Sequence, residues 1–209
     1  MKSKNSAVEF LSDLPILPGD VSRIVAGASQ LYIHNTPCVA QLRFPPRFKK
    51  TTRTLANTLG GFYSTKTFAV PAKFRIKEPG CTIMLFNSGD AVIVGARCHM
   101  YAALATRKLA NLIASKFNIS VGVVNIRRTN TMGTFYMGRN VNLNKALRHL
   151  PYAVYNPQII KHLRFGFRDL GVTALISDFG RVVLTGNQSP DVTEIARVRL
   201  AEFLAHFVT

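Results

Sequence analysis

Apolar and polar positions along the chain repeat one pattern twice. Ala72 to Ile76 alternates with the period of two expected of a strand buried on one face. Thr82 to Phe86 is apolar with β-branched residues, Asn87-Ser-Gly-Asp90 has hairpin chemistry, and Ala91 to Val94 is the returning strand. An amphipathic helix follows from about Met100 to Lys116, with Leu104, Leu109, Leu112 and Ile113 as its apolar positions. At an offset of 91 residues the same pattern returns, and Phe74, Gly80, Thr82, Gly89, Val92 and Gly95 fall on Phe165, Gly171, Thr173, Gly180, Val183 and Gly186. Matching glycines in an ungapped register are a strong repeat signal, because turns need them at fixed places. Ser189-Pro190-Asp191 supplies cap chemistry for the second copy of the helix, which runs to about Phe207.

Upstream the repeat continues at an offset of 95. Asn35-Thr36 precedes an apolar run to Phe44, and Asn130-Thr131 precedes Met132 to Met137. A helix is expected in the following interval of each half, at Lys50–Leu59 and Leu143–Leu150. Each unit therefore reads strand, helix, strand meander, helix. The expected organisation is a tail over 1–27, broken by Pro15 and Pro18, a first repeat over 28–117 and a second over 118–209.

Charge narrows the function. Among 209 residues, 27 Lys and Arg stand against 10 Asp and Glu, a formal charge of +17. No acid lies between Val21 and Lys77 or between Ala91 and Arg168. Basic groups without neighbouring carboxylates stay available to phosphate, so a polyanionic partner is expected, either nucleic acid or an anionic membrane surface. The same gaps argue against an enzyme, since paired carboxylates are scarce. Asp90 and Asp178 belong to turns. The five histidines make no short-spaced metal pair with Cys38, Cys81 or Cys98, and these cysteines read as small core residues of a reducing compartment. No cofactor is expected. No apolar run approaches the length of a membrane span.

Several segments resemble the core domain of TATA-binding proteins. Phe74-Arg-Ile-Lys-Glu-Pro79, Phe86-Asn-Ser-Gly89 and Val94-Gly-Ala-Arg97 resemble the first-repeat signature, and Gly180-Arg-Val-Val-Leu-Thr-Gly186 the second. Tyr155-Asn-Pro157 and Asn130-Thr-Met-Gly-Thr134 resemble motifs of the second repeat, and the resemblance spans about 28–209. It implies an α+β fold of two pseudo-symmetric repeats, a saddle-shaped curved antiparallel sheet with helices on its convex face. It also implies minor-groove binding, with apolar wedges that kink the duplex by about 80° in that family.

Carried over by position, the resemblance gives three groups of site residues. Asn35 and Asn130 stand at the groove centre, where amides donate to A·T acceptors. Val39, Met84, Val92, Val94, Met132, Leu175, Val183 and Thr185 line the groove face, although an ordinary buried sheet shows the same alternation. The wedge positions are Phe86, Phe68 (one residue out of register) and Ile160. At the fourth, Ser177 replaces Phe, and Phe179 compensates if the hairpin shifts. Phosphate contacts fall to Arg75, Arg97 and Arg181, with Arg164 and Arg168 substituting where Gly166 and Asn187-Gln188 break the basic pattern. Pro37 removes a ladder donor where the family has Val. Loop Tyr155-Asn-Pro-Gln158 lacks the acids that meet transcription factor IIB in the family.

The resulting expectation is a transcription initiation factor without enzymatic activity that bends A·T-rich double-stranded DNA. Its expected partners are initiation factors and the RNA polymerase machinery, with no membrane. It is expected as a monomer on DNA, in the nucleus or at a site of viral transcription. The alternative is a scaffold that keeps the fold, has lost bending, and acts as a protein-interaction module.

Overall fold

A computed structural model of the chain describes Leu14 and residues 22–64 and 71–209. In chain order the elements are α1 (Ser22–Ala26), β1 (Tyr32–Asn35), β2 (Cys38–Arg43), α2 (Thr52–Leu59), β3 (Ala72–Ile76), β4 (Cys81–Leu85), β5 (Asp90–Val94), α3 (His99–Phe117) and β6 (Gly122–Arg128). There follow β7 (Met132–Tyr136), α4 (Leu143–Leu147), β8 (Val154–Asn156), β9 (Ile160–Phe167), β10 (Val172–Ser177), β11 (Arg181–Thr185) and α5 (Pro190–Leu204), closed by a 3-10 turn at Ala205–Phe207. The segment expected as an irregular tail holds α1, and its Leu14 is buried in a core.

Two compact units result. One is Tyr32–Gly133 with Gln188–Pro190; the other is Thr134–Asn187 with Asp191–Thr209 and the described residues up to Leu31. In the first unit the strands lie in the order β3-β4-β5-β2-β6, antiparallel throughout. Cys38, Ala40, Leu42, Phe74, Ile83, Leu85 and Ile93 alternate onto one face, where they meet Leu55 of α2 and Ala102, Ala105, Leu109 and Ile113 of α3. In the second unit the order is β7-β11-β10-β9-β8. Phe135, Phe165, Phe167, Ala174, Ile176, Val182 and Leu184 form its core with Ala196, Leu200, Ala201 and Leu204 of α5. Burying one such side chain contributes about 1.5–3 kcal/mol, so each unit carries its own stabilising core.

The repeat survives in the hydrogen-bond register. Thr82, Ile83, Met84 and Leu85 pair with Val94, Ile93, Val92 and Ala91. Thr173, Ala174, Leu175 and Ile176 pair with Thr185, Leu184, Val183 and Val182, the same partners 91 residues on. Gly89 and Gly180 explain why glycine recurs at the hairpins. Both have positive φ, +88° and +79°, and a Cβ on either would collide with a carbonyl oxygen, of Leu42 and Arg139 respectively. Their own carbonyls accept the N–H of Leu42 and of Met137, which are 95 residues apart.

The α+β architecture of matching antiparallel repeats is as the sequence predicts, but the strands hydrogen-bond as two sheets where one continuous ladder was expected. The break falls at the proline. Between β1 and β2, Thr36 donates its N–H to Ala96 O at 2.6 Å and its hydroxyl to Arg97 O, while Pro37 has no N–H to give. The first strand is thereby cut in two. β6 and β8 were not anticipated.

Candidate nucleic-acid interface

Each sheet has a second face, opposite its helices, and Val39, Met84, Val92, Val94, Leu175, Val183 and Thr185 lie there. In the first unit one line of cross-strand neighbours runs Lys73, Met84, Val92, Val39, Arg127, one residue from each of five strands. The three central side chains are apolar and half-buried; the two at the edges are basic and exposed. Strands about 4.8 Å apart set those edge residues about 19 Å apart at the backbone. A parallel line runs Arg75, Thr82, Val94. Arg75, Lys77, Gly80, Gly95 and these neighbours line a cleft of about 600 Å³.

The second unit repeats the scheme with different chemistry. Val154, Arg164, Leu175 and Val183 form one line, and Gly166, Thr173 and Thr185 the next. Leu175, Val183 and Thr185 are half-buried, as their counterparts are. Arg164 stands over Lys73 in the repeat, whereas Gly166 stands over Arg75, so the second unit keeps the first of these two basic positions and loses the second.

Asn35 ends β1, and its Oδ1 accepts the N–H of Gly95 at 2.8 Å. That bond fixes which end of the amide is which, and Nδ2, with two N–H groups, donates one of them to Met132 Sδ at 3.5 Å. An oriented amide donor is what a minor-groove acceptor requires. Asn130 is also engaged, its Oδ1 accepting the N–H of Thr131 at 2.8 Å. Met132 opens β7 and is half-buried.

The wedge positions divide sharply. Phe86 follows β4, half-buried, its N–H given to Asp90 O. Ser177, its counterpart, is buried to 1% exposure and donates its hydroxyl to Arg181 O at 2.8 Å. The second hairpin keeps the register of the first, so Phe179 stands at the turn over Ser88 and does not move into the place of Phe86. Its ring is exposed there, its N–H held by Asp178 Oδ1. Ile160 is exposed at the start of β9, and Ile159 beside it is more so. Phe68 lies outside the described residues. The expectation overlooked Ile159, which the offset of 91 aligns with Phe68.

Of the arginines, Arg75, Arg164 and Arg181 are exposed on the sheet faces. Arg97 lies over the ring of Tyr32 at 5.5 Å, and Arg168 over that of Tyr152 at 3.9 Å. Such cation–π contacts hold a guanidinium in place while leaving its edge to other partners. Lys73 and Arg127 were not singled out from sequence. Arg127 was missed because β6 was missed, and Lys73 because its place at the end of a cross-strand line appears only with the register.

Reactive chemistry is sparse. Cys38 and Cys81 are buried, and burial pushes both thiols up from their ordinary range; at Cys38, Arg128 opposes that rise. Among the described residues no three His, Cys, Asp or Glu side chains gather as a metal site. No described helix is long and apolar enough to cross a membrane.

The sequence profile described as "Transcription factor TFIID (or TATA-binding protein, TBP)" matches residues 30–116 and 125–207. The chain belongs to the TATA-binding protein family. It is 32% identical over 125 residues to TATA box-binding protein-like 2 of Rattus norvegicus, covering 59% of this chain and 36% of that protein. To TATA-box-binding protein 1 of Arabidopsis thaliana it is 27% identical over 146 residues, 69% of this chain and 72% of that one. The alignment with the TATA-box-binding protein of Emericella nidulans, 30% identical over 59% of this chain, spans 46% of that relative. The chain thus spans between a third and a half of the rat and fungal relatives. Among solved structures, the TATA-binding protein of Methanococcus jannaschii shares the fold with a TM-score of 0.72 at 21% identity, over 85% of this chain and 99% of that one. For this TATA-binding protein family member, the second profile match begins within β6, a strand that pairs with β2 in the sheet of the first unit.

Proposed function

We propose that this protein is a non-enzymatic transcription initiation factor that lays the uncovered sheet faces of both repeats into the minor groove of A·T-rich DNA. The observation that carries the reading is the line Lys73, Met84, Val92, Val39, Arg127. It has an apolar floor for sugars and base edges and a cation at each rim for phosphate. The oriented amide of Asn35 supplies a donor for adenine N3 or thymine O2. Family membership and the net charge of +17 point the same way. On this reading the partners are duplex DNA and the initiation machinery, the place of action is the nucleus, and the protein acts as a monomer on DNA.

Salt dependence tests it. If Lys73, Arg75, Arg97, Arg127, Arg164, Arg168 and Arg181 each neutralise one phosphate, log affinity falls against log salt with a slope of about −6.3, roughly 6,000-fold between 50 and 200 mM. Gel shifts on A·T-rich and G·C-rich duplexes read both slope and preference. Absence of binding at low salt overturns the proposal in favour of the second reading, an interaction scaffold of the same fold. Ser177 favours that second reading, because a wedge position has been given to a buried hydroxyl.

A further inference from the structure

The two units differ in length where the strand β2 or β7 passes into the helix that follows it. Leu42 and Met137 give their N–H to Gly89 O and Gly180 O, and Thr51 and Asn142 cap α2 and α4. Between these matching points the first unit runs through residues 43–50 and the second only through 138–141. The fold can therefore make this crossing with the shorter link. The longer one contains Phe44-Pro-Pro-Arg-Phe-Lys-Lys50 and so carries Arg47, Lys49 and Lys50, whereas the shorter holds Arg139 alone. The longer link is held in place. Phe48 donates its N–H to Pro45 O at 2.8 Å, its ring stacks on Phe44 at 5.3 Å, and it makes an edge contact at 5.4 Å with Phe117, the last residue of α3. Arg47, Lys49 and Lys50, with Arg53 at the start of α2 and Lys116 at the end of α3, are all exposed. Both helices pack on the covered side of the sheet, so these cations belong to the side away from the groove face. Among the described residues none of the five is in an ion pair, and α3 contains no acid.

Like charges gathered on chain that the fold does without repel one another, and a bound polyanion removes that cost. The kind of polyanion follows from what accompanies the charge. A protein partner draws on apolar anchors at the centre of its interface, and a membrane surface on apolar side chains that insert. The rings of Phe44, Phe48 and Phe117 are half-buried against one another, so the link offers neither. Cations on a fixed link without an apolar centre suit a phosphate backbone, which is bound through charge and carries no base sequence. We propose that Arg47, Lys49, Lys50, Arg53 and Lys116 form a second nucleic-acid site, which holds the backbone of another segment without base preference while the uncovered face holds the first. The two sites lie on opposite sides of one sheet, so a protein with both filled bridges two segments. The bridging rests on the minor-groove reading; the basic site itself does not.

The experiment uses the full chain with one equivalent of a short A·T-rich duplex. A labelled G·C-rich duplex is added at about 50 mM salt, and sedimentation reads the mass of the complex. One protein carrying both duplexes is the expected result. Arg47→Gln, Lys49→Gln and Lys50→Gln together should weaken the second duplex by about ten-fold or more and make its salt slope shallower by about 2.7, with affinity for the A·T-rich duplex kept within about two-fold. Arg53→Gln with Lys116→Gln, on the helices, should weaken the second duplex as well, and reads the site even if the variant link fails to fold. Absence of the two-duplex complex, displacement of the first duplex by the second, or second binding unchanged in the variants overturns this inference and leaves the function standing. Capture of phosphatidylserine vesicles in place of the second duplex also overturns it. If the A·T-rich duplex fails to bind while the G·C-rich one binds and is lost in the variants, the function falls and the basic site stands.

Discussion

At single residues, backbone geometry and burial give two tests. Gly180 has positive φ, and a Cβ there would run into Arg139 O; Gly166 sits in an extended strand with nothing within 4 Å of an added Cβ. Gly180→Ala should therefore destabilise by more than about 2 kcal/mol, since both strain and a backbone collision must be relieved. Gly166→Ala should stay within about 0.5 kcal/mol of the parent. Urea unfolding of the two variants reads the contrast directly. The cysteines give the second test. Cys38 and Cys81 are buried with their thiols pushed up, whereas Cys98 is only partly covered at the start of α3. A thiolate-directed reagent near neutral pH should label Cys98 first and reach the other two only as the protein unfolds. Mass spectrometry of a time course checks the order, and early labelling of Cys81 would contradict the packing.

Individual elements show how hairpin and helix depend on each other. Asn87 reads as a turn residue in the sequence. In the structure its Oδ1 also accepts both the N–H and the hydroxyl of Thr52, at 2.8 and 2.9 Å, in the first turn of α2. Thr51 caps the same helix by accepting from Thr54 N at 3.2 Å. Asn87→Ala strands two donors of a buried threonine and should cost about 2–3 kcal/mol; Thr51→Ala, at an exposed cap, should cost about 1 kcal/mol. Chemical denaturation separates them, and equal losses would mean that the Asn87 bonds are redundant. That Asn87 serves a helix 35 residues earlier is invisible to local pattern, as are most tertiary caps. The repeat was legible because turns impose glycine at Gly89 and Gly180 and because strand periodicity runs unbroken from β3 to β5 and from β9 to β11. β6 was not, because Asn125 takes φ +55° and a bulge shifts the register opposite Val39 and Gln41, which destroys the alternation. β8 spans three residues, too few to show a period. Of the candidate site, the apolar positions were legible by resemblance. The cross-strand neighbours Lys73 and Arg127 needed the register, and the hairpin shift on which compensation by Phe179 depended is absent, because the second hairpin keeps the register of the first.

For the whole molecule on DNA, the two repeats are not equivalent machines, and the difference should appear as shape. Unstacking one base step costs a few kcal/mol, offset by apolar contact from the inserted side chain. The first unit offers Phe86, a ring already half-exposed at its sheet end. The second offers Ile160 and Ile159 at the start of β9, while its counterpart of Phe86 is the buried Ser177. With less apolar contact to offset unstacking, the second side should kink less, and the total bend should fall below the roughly 80° of the family. Phe86→Ala should then remove most of the bend, whereas Ile160→Ala should remove little. Phe179, exposed at the second hairpin, supplies the control: if it serves as a wedge from the turn, Phe179→Ala should flatten the second side alone. Fluorescence-transfer distances between the ends of a labelled duplex measure the total angle, and internal labels on either half locate the kink. Two equal kinks, or equal losses from Phe86→Ala and Ile160→Ala, would show that an isoleucine suffices as a wedge and that the hydroxyl at Ser177 carries no cost for bending.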